Sequence, residues 1–411
     1  MFNTSILTDP FQRVDPFQHP TINISWRSEQ FEAFLPYLGV TVFFLLLAVQ
    51  LQPSRNKAPI INPKKWSEWS WERPMKDFAF GSKAMLSQAY ATLGDKPFQV
   101  YTSQGMMTVL SPKYINELKN DNRLSFPQHT HRAFLGDIPG FNAFDQRTRK
   151  PWYLGFGQTV RGGLFLIQIA NKHLNAYLNQ MTIPLSEECD LSLQQHLPAD
   201  QNWQVIDPNL QMSKIIARMS SRIFLGKEFC EDERWIEASR QYAINAFSAQ
   251  ERLSLWPSYS HHVVHWFLPY CKTLRKNAST CRAIIEGVLQ KRKIEQAARA
   301  KEGKPPKEIE DSLSWMHKLS GGKTFDASRV QLGLSMAAIH TTTDLTSWLL
   351  ICIAQHPEII QPLREEIISV LSASGWKKTS LYNLKLLDSV MKESQRLKPN
   401  VLGKIKFSAP I

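Results

Sequence analysis

Cysteine is scarce and unpatterned in this chain of 411 residues. Cys189, Cys230, Cys271, Cys281 and Cys352 are odd in number, widely spaced and never arranged as C-x-x-C. That excludes a disulfide framework and a zinc ribbon, and fits a reducing cytosolic setting. Histidine adds little: His261 and His265 share a helical face at a metal-like spacing, beside His262, but have no acidic or cysteine partner nearby. A packing or solvated role is expected for them, and no metal site is predicted. A nucleic-acid motif is also lacking, although the formal net charge is +13. The basic residues are scattered, apart from Lys291 to Lys293 and the loop from Lys301 to Lys307, so the charge reads as surface and membrane electrostatics. The N-terminus has neither a basic n-region nor a small-residue cleavage site, which excludes a cleaved signal peptide. There is no internal repeat, and one large domain or two to three ordinary ones would fit the length.

What the sequence does contain begins with an uncharged run from Phe34 to Leu51, FLPYLGVTVFFLLLAVQL. At about 18 residues it is near the lower limit for a bilayer-spanning helix. Arg13 and Arg27 precede it, whereas Arg55, Lys57, Lys64, Lys65, Arg73 and Lys76 follow it. The positive-inside rule then puts residues 1–33 in the lumen and the bulk of the chain in the cytosol, at the endoplasmic reticulum membrane. Asn3 (N-T-S) and Asn23 (N-I-S) would be glycosylation acceptors there, while the sequon at Asn277 would be cytosolic and idle. Pro53, Pro59 and Pro63 stiffen residues 52–64 as a linker, leaving 65–411 as the main domain.

That domain reads as mainly α with a small N-terminal β-sheet. An amphipathic helix is expected around Met75 to Leu93, and PFQVYTSQGMMTVLSP alternates as a hairpin about Ser103, Gln104 and Gly105. Helical periodicity follows over 114–120, 164–177, 210–224, 232–247, 263–267 and 278 to about 300, with AKEGKPPKEIED as a surface loop. The dominant element spans about 326–356. Asp326 is placed to cap it, Pro357 cannot continue it, and it is apolar on nearly every face, as a helix in the middle of a protein would be. Its centre is unusual. Thr341, Thr342 and Thr343 cost helix propensity and can bond back one turn, while Ala337 and Ala338 leave a bare shelf on which a flat ligand could lie. Thr back-bonding and Ala packing against a crossing helix would produce the same pattern. A further helix over about 383–397 puts Glu393 and Arg396 three apart, where a bidentate pair could form; an isolated E-x-x-R is usually a surface ion pair.

AAIHTT followed some fifty residues later by KESQR resembles the oxygen-binding helix and the E-x-x-R helix of the cytochrome P-450 family, the heme-thiolate monooxygenases. KIIARMSSRIFLGKEFCEDERWIEAS, HWFLPYC, HPEIIQPLREEI and TSLYNLKLLDSVMKESQRLKP resemble its microsomal fungal branch, which oxidises terpenoid and meroterpenoid scaffolds in secondary metabolism. The resemblance implies a P-450-like helical fold behind a single transmembrane helix, heme as cofactor, an NADPH-dependent reductase as partner and a hydrophobic small-molecule substrate. It implies that Ala337, Ala338 and Thr342 lie against heme, that Thr341 helps deliver protons to bound oxygen, and that His340, standing where an acid is common, relays protons or packs. Arg161 falls where the family often holds a heme propionate, and Glu393 with Arg396 where a structural pair braces the heme core.

One departure is equally legible. The family's F-x-x-G-x-x-x-C-x-G loop would lie C-terminal to Arg396, and none of the five cysteines occurs in such a context. The expectation is therefore a fold truncated before its axial cysteine loop. Besides a monooxygenase, an inactive pseudoenzyme that binds a lipophilic molecule at a membrane, or a non-functional fragment, would fit this.

Overall fold

The computed structural model describes residues 37–38, 40–41, 58–121, 123–144, 169–198, 202–322 and 325–399. Two compact units divide at residue 57. Of the first, only a few positions of the expected membrane anchor are described; they are helical, with Thr41 Oγ1 donating to Tyr37 O at 2.7 Å. The rest of the anchor, Asn3, Asn23 and Arg161 lie outside the described residues.

The second unit is helical with one small sheet. It opens with α1 (Glu72–Leu93), β1 (Phe98–Thr102) and β2 (Gly105–Val109), the strands pairing antiparallel from Phe98↔Val109 to Thr102↔Gly105. Gly105, at φ +95, makes the tight reversal possible, because a side chain is strained there. The chain enters this unit earlier than the expected boundary at residue 65. Ile60 bridges Gln99, and buried Asn62 donates to Pro74 O and Tyr101 O while accepting from Tyr101 N, all at 2.8–2.9 Å. Pro59 and Pro63 thus flank a segment tied to the sheet, and residues 58–64 are part of the fold.

The helices that follow are α2 (Phe126–Ala133), α3 (Asn175–His196), α4 (Pro208–Phe224), α5 (Glu233–Ser254), α6 (Pro269–Lys301), α7 (Ser312–Ser320), α8 (Ala327–Gln355), α9 (Ile360–Ser374) and α10 (Lys385–Leu397). Several run longer than periodicity indicates. A π-type turn over Ile169–Leu174 leads into α3, which continues past residue 177 to His196 with Pro184 inside it. Proline usually marks a stop. Here the expected end at 177 is overridden by packing: Thr182 Oγ1 donates both to Asn179 O and, at 2.7 Å, to Trp376 O. Helix α6 begins at Pro269, a residue whose missing N–H costs nothing at a first turn, nine residues before the expected start. The predicted helix at 263–267 is instead a single turn, His261–Val264.

Helix caps follow the local chemistry. Asp207, Asp232, Asp311 and Asp326 each stand at an N-cap and accept from amides of the first turn. The core lies between α4, α5, α6 and α8, with Ala217, Trp235, Tyr242, Leu253, Leu274, Ile285 and Trp315 fully or almost fully buried. Helix α8 is, among the described residues, the helix long and apolar enough to cross a membrane, but it packs against α4, α5, α6 and α10 within the fold. Its burial is one-sided. Val330, Leu332, Leu334, Met336, Ile339 and Thr343 are buried, whereas Ala337, His340, Thr341, Thr342 and Leu350 are exposed, so the expectation of burial on nearly every face is corrected.

Two histidines of the run take hydrogen-bond partners within the fold. His261 bonds Trp256 O at 2.8 Å and His265 takes a guanidinium N–H from Arg275 at 3.0 Å, so both pack by hydrogen bonding; no metal-binding group occurs among the described residues.

Candidate active site on the open face of α8

Ala337 and Thr341 are one helical turn apart, and Ala338 and Thr342 repeat the spacing beside them. The structure brings all four to the side of α8 that its neighbours leave open, with Ala338 half-buried and the others exposed. Thr341 Oγ1 donates to Ala337 O at 2.8 Å, and Thr346 Oγ1 does the same to Thr342 O. Thr343 faces inward, so the three threonines do not act as a set. The Thr341 hydroxyl hydrogen is thus directed at a carbonyl one turn back. The open face therefore consists of methyl groups and a hydroxyl held in one orientation.

A file of rings runs from His340 into the core. His340 lies 4.4 Å from the Phe247 ring of α5; Phe247 meets Phe134 edge-on at 5.4 Å; and Phe134 stacks on Phe144 at 4.3 Å. Phe134 is held by the loop after α2, where Leu135 adopts φ +53 and Gly136 N donates to His131 O at 2.8 Å. A left-handed leucine costs on the order of 1 kcal/mol, so the surrounding contacts must impose it. His131 Nε2 closes the same loop on Asp137 at 2.9 Å. Desolvation lowers the pKa of His340, with Asp344 one turn on opposing the shift. The imidazole is thus neutral at pH 7, able to donate from one nitrogen and accept at the other.

The other end of the site is fastened to α10. Lys398 pairs with Asp344 at 2.7 Å and stands over the Trp348 ring. Glu366 of α9 accepts from the first amides of α10, Leu386 N at 2.7 Å and Leu387 N at 3.0 Å. Glu393 and Arg396 form the bidentate pair the spacing allows, at 2.6 and 2.8 Å, with both side chains exposed. Their hydrogen bond holds the Glu393 carboxyl below its usual range.

Comparison with known proteins now bears on this arrangement. The family described as Cytochrome P450 matches residues 168–405. The chain is 34% identical to cytochrome P450 monooxygenase esdpI of Penicillium shearii, over 89% of this chain and 70% of that one. It is 35% identical to cytochrome P450 monooxygenase eqxH of Fusarium heterosporum, over 90% and 68%, and 34% identical to cytochrome P450 monooxygenase TRI1 of Fusarium sporotrichioides, over 90% and 65%. The chain belongs to the cytochrome P450 family. It spans about two thirds of the length of these relatives. Heme is the cofactor of a cytochrome P450, and monooxygenation its general reaction.

The residues present fit heme on one side. An exposed shelf of alanines, with no side chain beyond Cβ, admits a flat macrocycle against the α8 backbone. The five cysteines of this chain are not among the residues of the shelf. Burial pushes the thiols of Cys230 and Cys281 up to about 12 and raises those of Cys189 and Cys271, so these four are thiols rather than thiolates at neutral pH. Cys352 is buried within α8 itself.

Sequence reasoning identified the α8 residues from their motif but missed Phe134, Phe247, Glu366 and Lys398. Phenylalanines such as Phe134 and Phe247 carry no local mark that tells a site neighbour from plain core. Glu366 and Lys398 act on helices distant in the chain, so no short spacing announces them.

Proposed function

We propose that this protein is a membrane-bound monooxygenase that oxidises a hydrophobic, terpenoid or meroterpenoid, intermediate of fungal secondary metabolism, with electrons drawn from NADPH through a reductase. The observation that carries this reading is the bare Ala337–Ala338 shelf beside the Thr341 hydroxyl, with the Phe247 ring against His340 next to it. An apolar substrate meets an apolar surface there without desolvating a charge. Bound heme supplies the oxygen-activating chemistry. Ala337, Ala338 and Thr342 let it approach α8. Thr341 Oγ1, held toward Ala337 O, takes and passes on a proton, and neutral His340 relays protons to it from the solvent side.

An endoplasmic reticulum setting is supported by the Phe34–Leu51 segment and the cations that follow it. It is also supported by exposed aromatics at one edge of the folded unit. Tyr259, Trp266 and Phe267 are exposed just beyond α5, whose Ser254 touches Met75 of α1, and Trp66 and Trp69 are exposed shortly before α1. Tryptophan and tyrosine favour membrane interfaces. Asn3 and Asn23 would then be lumenal and glycosylated; a mobility shift on glycosidase treatment, lost in Asn3→Gln/Asn23→Gln, tests the orientation.

A second reading is a pseudoenzyme that binds a lipophilic molecule without redox chemistry. Reductase-supported turnover separates the two. The first reading predicts a hydroxylated product that depends on NADPH and oxygen; a lipophilic ligand bound and released unchanged would establish the second.

A further inference from the structure

Asp344 lies one helical turn beyond His340 on α8, the separation at which two side chains of a helix face each other. Its carboxylate is taken from a distant helix end: Lys398 Nζ stands 2.7 Å from Asp344 Oδ1, across 54 positions of sequence. We propose that Lys398 is a positioning residue of the α8 site, which holds the Asp344 carboxylate and so keeps it from drawing a proton onto His340. The assignment rests on the relay role of His340 proposed above, and names the residue that keeps the relay in its working form.

A relaying imidazole accepts a proton at one nitrogen and gives up the proton on the other, so it must start neutral. An imidazolium has two donors and no acceptor, and cannot begin that cycle. A carboxylate within about 4–6 Å favours the imidazolium, whereas an apolar surround favours the neutral ring. His340 has both neighbours. From α5 the uncharged Phe247 ring lies 4.4 Å from it. Within α8, Asp344 is the charged group that acts on it, raising its pKa against the larger, lowering effect of desolvation. The balance depends on how much of the Asp344 charge is left to His340, and α10 sets that through Lys398.

Lys398 is delivered to Asp344 by the fold. Helix α10 starts on Glu366, which accepts from Leu386 N and Leu387 N, and it ends with Lys398 N donating to Ser394 O at 3.0 Å. The Lys398 ammonium also lies 5.5 Å from the centre of the Trp348 ring. Its two contacts on α8 are therefore at Asp344 and one turn beyond it, whereas His340 is one turn before it. That placement draws the carboxylate away from the imidazole. The preceding cations of α10 are engaged within their own helix, Lys392 with Asp388 and Arg396 with Glu393.

Diethyl pyrocarbonate, which acylates the neutral imidazole, reads the charge of His340 when the modified peptides of the purified full chain are quantified by mass spectrometry across a pH series. Low ionic strength limits the screening of an exposed pair. The Lys398 and Asp344 side chains are 48% and 33% exposed, so substituting them leaves the core intact. Lys398→Met should raise the pH of half-maximal reactivity at His340 by about half a unit, with Lys398→Arg close to wild type. His356, exposed beyond the far end of α8, should not move. Asp344→Asn should lower the His340 midpoint, and adding Lys398→Met to it should change nothing further, because the lysine acts through the carboxylate. Equal midpoints in wild type and Lys398→Met, or a rise that persists without Asp344, overturns the proposal. Coupling of NADPH use to product tests the relay separately. At the wild-type midpoint a half-unit rise about halves the neutral fraction, so coupling should fall about twofold in Lys398→Met and return in Lys398→Met/Asp344→Asn. A shifted midpoint with coupling unchanged refutes the relay and leaves the hold of Lys398 on Asp344 standing.

Discussion

His340 shows how one side chain is tuned by what touches it. Its ring lies against Phe247 and one turn from Asp344, and desolvation outweighs the carboxylate, so the imidazole is less basic than in solution. If it relays protons to Thr341, His340→Ala will consume NADPH without a matching yield of product, while substrate affinity changes little. Unchanged coupling would make it a packing residue. Stability has a related pH signature. His129, His196, His265 and His340 all have pKa values lowered from 6.5 by desolvation. The unfolded chain therefore binds more protons than the native one as pH drops through 6.5. Stability is full above that pH and declines as pH falls toward the lower folded values. Thermal unfolding followed between about pH 8 and about pH 5 should show Tm falling on the acid side. His265→Asn, which keeps an acceptor for Arg275, should flatten the fall. At this scale the sequence was legible where a motif names the residue, as at Ala337 and Thr341. It was silent for Phe247, whose role depends on a neighbour more than ninety positions away.

Among elements, the seam between α4 and α5 shows why long helices pack as they do. Trp235 is fully buried, and its indole N–H donates to Ser221 Oγ at 2.9 Å across that seam; Ser221 Oγ in turn donates to Ala217 O. Ser221→Ala leaves the indole N–H without a partner in a dry interface, at a cost of about 1–3 kcal/mol by denaturant unfolding. Trp235→Phe in the same background should recover part of that loss, since the orphaned donor goes with the indole. The start of α8 gives a second measure. Asp326 accepts from Arg329 N, and Asp326→Ala should destabilise the chain by about 1 kcal/mol, with Asp326→Asn costing less. Element starts were readable because caps are local chemistry: Asp326 stands where the helix begins. Lengths were harder, because Pro184 in α3 is tolerated through tertiary contacts that no window of sequence contains. The one-sided burial of α8 was hidden for a related reason. Small residues and threonines are apolar enough to read as core while lining an open face.

For the whole molecule, the helical core of α4, α5, α6 and α8 acts as a frame that presents two unlike surfaces of the same long helix. Its middle offers methyls and a hydroxyl beside the Phe247 ring; its first turn joins α6 at a cavity that Arg275, Arg282 and Arg329 help to line. The fold class and the site helix were legible from AAIHTT and KESQR. The cavity was not, since Arg275, Arg282 and Arg329 converge only after two helices pack. The central claim is that the Ala337–Ala338 shelf is where heme lies. The direct measurement is the absorption spectrum and heme content of the purified chain, expressed with ample heme supply, for wild type and for Ala337→Trp. The account predicts about one heme per wild-type chain and loss of most of it in Ala337→Trp, with the helical circular dichroism of the variant retained because Ala337 is exposed. Equal heme content in the two proteins, or a wild-type chain that retains none, would contradict it.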